Sequence, residues 1–344
     1  MDFITLDRDY QNPIWLRPLN VQWNAKHYEC GDFSIQISTD DYETNFAYVY
    51  CNDRIQMGII QKVSQTQNVK GKFTQLSGFF LERLLHDYVI QSTETATNEN
   101  ICAFAARVIQ KYADQGDYTI DSWGDLGEPV TMQLAPGYLD EALFSMLKQQ
   151  KITFRIYYDF VNDALHIKFV RGLDRTQSQT VNNTIVFSPE LKNLDNIEYN
   201  ADSSNYKNYA IVVGGDLENA PVTVIVDARI PGDRRREIRV EAGEIRKEEG
   251  MTDEDLQEAL KARGQEELAQ YLDIRNISFD TQNDMVTYRE DYDLGDIVDI
   301  IVPDMGQAYE SEIIEVDEVL KNNQHTINLI LGDKIPTQYD KTRR

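Results

Sequence analysis

Cysteine and histidine are scarce. The 344-residue chain holds three of the first and four of the second. Three thiols (Cys30, Cys51, Cys102) cannot close a disulfide framework, and their spacing holds no C-x-x-C metal or redox motif. They read as structural thiols of a reducing compartment. His27, His86, His166 and His325 stand in four separate segments, with no H-x-x-H and no H-E-x-x-H, so neither a metal site nor a triad is legible. Basic charge is also short: 34 Lys+Arg against 58 Asp+Glu leave −24. That excludes a general electrostatic grip on a polyanion, which needs Lys and Arg to neutralise phosphates. No apolar run approaches the ~18 residues that suggest a membrane helix, and no stable membrane insertion is expected. The segment from Met1 to Asp9 lacks a basic and an apolar region, so no signal peptide is expected and synthesis is placed in the cytoplasm.

Nucleotide and nucleophile motifs are missing as well. No Walker A loop, G-x-G-x-x-G or G-x-S-x-G follows a strand, and Gly214-Gly215 lacks a third glycine and a helix. The acidic run from Asp291 to Asp296 resembles the start of a calcium loop. Gly295 is fifth rather than sixth, however, and Val302 stands where Glu is needed. A tight turn feeding a strand is the simpler reading. Arg234-Arg235-Arg236, the internal basic cluster, is flanked by Glu237, Glu241, Glu244 and Glu248 and reads as a solvated strand face or an interface patch. No catalytic, cofactor-binding or metal residue is named, and no cofactor is expected.

What is present is β periodicity interrupted by helices. Phe33, Ile35 and Ile37 alternate with Ser34 and Gln36. Runs at 47–51, 54–63 and 73–76 follow between turn residues, which suggests a small barrel or sandwich. Apolar stripes over 79–89, 101–112 and 139–147 recur at helical spacing, with Asn98 or Asn100 as N-cap of the second. Residues 152–170 read as a hairpin around Asn162-Asp163. Thr252 and Asp255 form a capping box for a helix that carries Leu256, Leu260, Leu268 and Leu272, and Gly264 is expected to bend or split it. Strands return from Asp284 onward. An internal echo aligns Ile59-Ile60 through Gly78 with Ile313-Ile314 through Gly332, and Gly31-Asp32 and Gly295-Asp296 each open a strand upstream.

Ordered motifs then carry a resemblance. They are Trp23 with Gly31-Asp-Phe-Ser-Ile-Gln-Ile, Met57-Gly-Ile-Ile-Gln-Lys-Val, and Leu76-Ser-Gly-Phe-Phe-Leu-Glu-Arg-Leu-Leu. Gly172-Leu-Asp-Arg-Thr, Val186-Phe-Ser, Asn193-Leu, Tyr206-Lys-Asn-Tyr-Ala and Arg235-Arg-Glu-Ile-Arg-Val follow. Tyr292-Asp-Leu-Gly-Asp-Ile-Val and Ile313-Ile-Glu-Val close the series. Over roughly residues 14–333 the chain resembles the tail-tip or baseplate hub proteins of long-tailed phages, also described as tail-associated or minor tail proteins. His86-Asp87 departs from the basic pair that often stands there in the family.

The resemblance implies an α+β, β-rich subunit with two small antiparallel barrels and a mixed helical domain. The first barrel is expected over 1–92, and the mixed domain over 93–180 and 229–274. The second barrel is expected over 181–228 and 275–333, and a flexible tail over 334–344. It further implies a structural, non-enzymatic role in the virion: a homotrimeric hub ring that joins a six-fold tail tube to the distal tip and lines the DNA passage. Implied partners are further copies of the chain, the tail tube or distal tail protein, the tape-measure protein, and distal fibre or tip proteins. Genomic DNA would pass without specific binding, and an acidic lining would let it slide. A tail-associated cell-wall hydrolase and a carbohydrate-binding adhesin, drawing on the 19 tyrosines, are the alternatives.

Overall fold

The computed structural model describes residues 1–69, 71–114, 116, 118–217, 220–247, 251–271, 274–281, 286–305, 307–321 and 324–332. The tail expected over 334–344 lies outside the described residues. The chain is β-rich with few helices, an α+β fold.

Seven strands come first: β1 (Phe3–Leu6), β2 (Ile14–Trp15), β3 (Asn20–Lys26), β4 (Asp32–Ser38), β5 (Tyr48–Cys51), β6 (Met57–Asn68) and β7 (Gly71–Phe80). Their alternating apolar residues bury one face. Trp23, fully buried, packs on Phe3, Phe33 and Phe80 at ring separations of 5.5, 5.7 and 4.7 Å. The stripe expected to be helical over 79–89 becomes a 3₁₀ segment, Leu81–Asp87.

The middle of the chain holds β8 (Val89–Ile90), β9 (Glu94–Asn100), α1 (Ile101–Tyr112), β10 (Tyr118–Ile120), β11 (Pro129–Leu134), β12 (Gly137–Tyr138), α2 (Leu139–Lys148), β13 (Thr153–Asp159) and β14 (Ala164–Val170). β13 and β14 form the expected antiparallel hairpin. Asn100 is the cap of α1. Its Oδ1 accepts from the backbone N–H groups of Cys102 and Ala103, at 2.9 and 3.2 Å, while its Nδ2 donates to the carbonyls of Leu126 and Gly127. Asn100→Ala is expected to cost about 1–2 kcal/mol and to lower the thermal midpoint by about 2–4 °C, read by circular dichroism.

The last third holds β15 (Val186–Phe187), β16 (Leu194–Asp202), β17 (Tyr209–Leu217), β18 (Ala220–Asp227), β19 (Glu237–Ala242), α3 (Asp253–Leu268), β20 (Ile274–Thr281), β21 (Ile297–Val302), β22 (Gln307–Lys321) and β23 (Gln324–Gly332). The capping box of Thr252 and Asp255 opens α3 as expected. Gly264 does not split it: the helix runs on to Leu268, because Gly264 is where it lies against β17 and β18, and a Cβ there would stand 2.6 Å from Val212 and 2.7 Å from Val226. Leu272, expected on that helix face, lies outside the described residues.

Strands β17 and β18 were expected in the second barrel. They pair instead with β19 in a sheet of their own, whose apolar face (Val212, Val224, Val240) packs on Leu256 and Leu260 of α3. Only β15 and β16 of the 181–228 segment join β20–β23.

The internal echo is present in topology. In the first part β3, β4, β7, β6, β5 and β1 are successive neighbours. In the second β16, β20, β23, β22, β21 and β15 are neighbours in the same order and follow the same order along the chain. The last pair differs, because β1–β5 is antiparallel and β15–β21 parallel. The two long hairpins match closely. Each turns between closing pairs two residues apart, Asn68 with Gly71 and Lys321 with Gln324. Each carries a β-bulge seven residues ahead of that pair, at Gln61 and at Ile314.

The gapless alignment is therefore off by one: Ile60 rather than Ile59 is the counterpart of Ile313, and Gly78 matches Leu331. Turn and bulge set hairpin register, and twenty aligned letters do not contain it. Nor are Gly31-Asp32 and Gly295-Asp296 counterparts. Asp32 opens β4, which pairs with the second arm β7, whereas Gly295 precedes β21, which pairs with the first arm β22.

Among the described residues the strand order of neither half closes into a ring. β3 and β22 pair across the halves, from Lys26 opposite Glu315 to Asn20 opposite Lys321, and so fuse them into one 13-stranded sheet.

Candidate functional site: the polar face of the long sheet

Side chains alternate across a strand, so burying one face of the long sheet presents the other. The buried face carries Trp23, Ile35, Leu76, Ile277 and Leu329. The opposite face carries amides and hydroxyls: Asn20, Gln22 and Asn24 from β3, Ser34 and Gln36 from β4, Gln75 and Ser77 from β7, Ser278 from β20, Asn328 from β23.

A ladder of side-chain hydrogen bonds runs over it. Asn20 Nδ2 donates to Gln36 Oε1 and Gln75 Nε2 to Ser34 Oγ, both at 2.6 Å. Gln22 Nε2 donates to Asp317 at 3.1 Å and Asn24 Nδ2 to Glu315 at 2.8 Å. Lys26 Nζ meets Asp32 at 2.8 Å. Asp280 accepts from Asn196 and Asn328 at 2.7 and 3.2 Å. Burial pushes the Asp317 carboxyl above its ordinary range, opposed by the Gln22 hydrogen bond. The face holds the acids Asp32, Asp195, Glu198, Asp202, Asp280, Glu315 and Asp317 and the lysines Lys26, Lys62 and Lys321. No arginine lies on it among the described residues. Acids outnumber lysines here, and several of the acids are spoken for by neighbouring donors. Such a surface offers water and weak hydrogen bonds to whatever passes it and little to hold a phosphate. The pairing of these polar positions was not legible before register was known.

The histidines lie apart, each against a different carboxylate. His86 Nδ1 is 2.9 Å from Asp140 and stacks on Tyr138. His166 Nδ1 is 2.8 Å from Asp121. His325 Nε2 is 3.1 Å from Glu318. His27 is buried, 3.6 Å from Glu312, and burial, reinforced by the Arg155 charge, holds its imidazole well below the usual range. The acidic run 291–296 is a turn: Gly295, at φ +95°, donates its N–H to the Ile313 carbonyl, and Asp296 accepts from the Leu173 N–H at 2.7 Å and from Arg175 at 2.6 Å. Among the described residues no group of three His, Cys, Asp or Glu is placed to hold a metal. Arg234, Arg235 and Arg236 precede β19 and line a cavity of about 580 Å³ with Ser203, Ser204, Tyr206 and Lys207. Arg235 pairs with Glu237 at 2.8 Å, and Arg236 donates to the Ser203 carbonyl. Among the described residues no helix is long and apolar enough to cross a membrane.

The fold is thus a duplicated, largely antiparallel sheet unit with one buried and one polar face and helical insertions between the strands, and solved structures share it. A tail protein from Neisseria meningitidis MC58 superposes with a TM-score of 0.63 at 14% identity, over 97% of both chains. The 43 kDa tail protein of prophage MuSo2 from Shewanella oneidensis gives 0.61 at 13%, over 96% of this chain and 98% of that one. Prophage tail protein gp18 from Listeria monocytogenes EGD-e gives 0.59 at 13%, over 100% and 98%. No curated protein matches the sequence. The family profile of Siphovirus ReqiPepy6 Gp37-like proteins matches residues 17–333, and the chain belongs to that family. It is a siphovirus-type tail protein, as the ordered motifs implied.

Proposed function

We propose that this chain is the hub of a phage tail tip, a structural and non-enzymatic virion protein that assembles as a homotrimer. The observation that carries the reading is the duplicated unit. Two copies of one strand order in each chain give three subunits six similar units, which is the symmetry a six-fold tube requires. In this reading the barrels, one from 1–92 and one from β15, β16 and β20–β23, are completed in the assembly, and the segments 93–180 and 209–274 form the outer, helix-bearing part. The polar face of the long sheet looks into the conduit. The tail tube or distal tail protein sits on one side of the ring, the tape-measure protein passes above it, and fibre or tip proteins lie distal to it. DNA slides past without a specific contact.

Light scattering on the purified protein and copy counting in tail particles test this together. A mass of three chains, or a copy number divisible by three, is expected. A monomer that cleaves peptidoglycan would favour the hydrolase instead, and one that binds host glycans the adhesin.

A further inference from the structure

The long sheet leaves two long strand edges open. On one side β6 pairs with β5 only over Met57–Ile59, so among the described residues the outer edge of 62–68 has no strand beside it. These residues are exposed throughout, although they belong to a 12-residue strand. On the other side β16 pairs with β20 alone. Open edges of this length template pairing with another chain unless something covers them.

The chain itself contains the pairing that would cover them. Within one subunit the outer edge of β22 is filled by β3, antiparallel. β6 is the counterpart of β22, and β16 the counterpart of β3. We infer that the open β6 edge of one copy takes the β16 edge of the next copy, in the register that β22 and β3 hold within the chain. The inference rests on the trimer proposed above and names the surface that closes it.

The register follows from the ladders. Turn and bulge make Gln65 the counterpart of Glu318 and Lys62 that of Glu315. Trp23 is opposite Phe33, which is opposite Gly78; Tyr199 is opposite Ile277, which is opposite Leu331. Gly78 and Leu331 are counterparts, so Tyr199 takes the place of Trp23. Glu318 lies opposite Trp23. Carried across, Gln65 lies opposite Tyr199 of the partner subunit, Ser64 opposite Asn200 of the partner subunit, and Lys62 opposite Asp202 of the partner subunit.

Charge agrees with this register. At the junction within the chain Glu315 of β22 faces Lys26 of β3. At the open junction the signs are exchanged, lysine on the β6 side and aspartate on the β16 side, and the pair is again of opposite charge. Lys62 makes no ion pair among the described residues of its own chain. The contact is head to tail, β6 to β16 rather than β6 to β6, so it propagates in one sense and closes after whole copies.

Cysteine pairs test the register. Residues directly opposite in an antiparallel ladder have Cα atoms about 4.5–5.5 Å apart, within the span of a disulfide. Assembled tails carrying Ser64→Cys with Asn200→Cys are expected to yield covalent trimers under mild oxidation. Asn68→Cys with Asn200→Cys, displaced by four residues or about 13 Å, is expected to stay uncoupled. The native thiols compete little: Cys51 and Cys102 are buried, and burial pushes all three thiols up, Cys102 to about 11.

A second readout is the charge pair. Lys62→Glu is expected to raise the concentration at which trimers dissociate by up to about fivefold per junction, and adding Asp202→Lys to restore it. Trimers by mass that neither cross-link at 64/200 nor respond to Lys62→Glu overturn this inference and leave the trimer standing. Tails whose copy number is not a multiple of three sink the trimer itself.

Discussion

Replacing Glu318 by Ala is expected to cost about 3–5 kcal/mol, the range for removing one member of a buried ion pair. Glu318 is 2% exposed, although it sits on the same strand as surface acids. Its Oε1 accepts from Arg54 Nε at 2.6 Å, its Oε2 from Arg54 Nη2, and His325 Nε2 lies 3.1 Å away. Arg54 follows β5 in the first half of the sheet and Glu318 is in β22 of the second, so the pair crosses the seam at which β3 meets β22. Burial alone would raise the Glu318 carboxyl. The Arg54 and His325 hydrogen bonds and charges outweigh it and hold the group below its ordinary value. A depressed carboxylate contributes stability that is present above its unfolded value near ~4.3 and lost as pH falls through the folded value. Urea titrations at neutral pH and near pH 3.5 should therefore differ less for Glu318→Gln than for the parent chain. Arg54→Met on its own should be as damaging as Glu318→Ala, because it leaves the carboxylate buried without its partner. The double variant Arg54→Met with Glu318→Gln should recover part of the loss. Single variants as stable as the parent would show that the seam depends on β3–β22 hydrogen bonds alone.

The pair also marks where the sequence could and could not be read. Alternation in Phe33, Ile35 and Ile37, the capping box at Thr252 and the hairpin around Asn162-Asp163 are local, and each is written in neighbouring letters. The seam is not. Arg54 and Glu318 are 264 residues apart, and nothing in composition joins them. The repeat was visible as an echo between residues 59–78 and 313–332, but only strand pairing shows that the bulges are the matched points. The polar face was hidden for the same reason. Gln22, Ser34, Gln36 and Gln75 look like the outward half of ordinary strands until the ladders lay them side by side. Gly264 misled because its helix-breaking tendency, roughly 1 kcal/mol, is overridden by the close approach of α3 to Val212 and Val226. Residues 209–228 misled because a parallel pairing with β19 leaves no trace in either strand's own pattern.

Lysines placed on the polar face are expected to slow genome ejection while leaving the particle intact. The proposed conduit face offers uncharged positions in its first half: Ser34, Gln36 and Gln75 are half-exposed and their partners are other amides and hydroxyls. Reversing the acids of this face is the less clean experiment, because Asp32 and Asp317 hold Lys26 and Gln22 in the ladder. Ser34→Lys, Gln36→Lys and Gln75→Lys together would instead add cations at three positions in each subunit, with only single neutral hydrogen bonds lost, about 0.5–1.5 kcal/mol each. A DNA duplex carries one charge per about 1.7 Å, and each lysine that meets a phosphate adds roughly one unit to the dependence of binding on salt. Ejection should therefore slow most at low ionic strength and recover as salt rises and the Debye length falls below about 8 Å. The same number of lysines at exposed positions elsewhere, Val161 and Val181 among them at 91% and 89% exposure, should leave the rate unchanged. If both sets of variants eject at the parent rate at every salt concentration, the face does not meet DNA. The overall charge of −24 would then be explained by solubility alone.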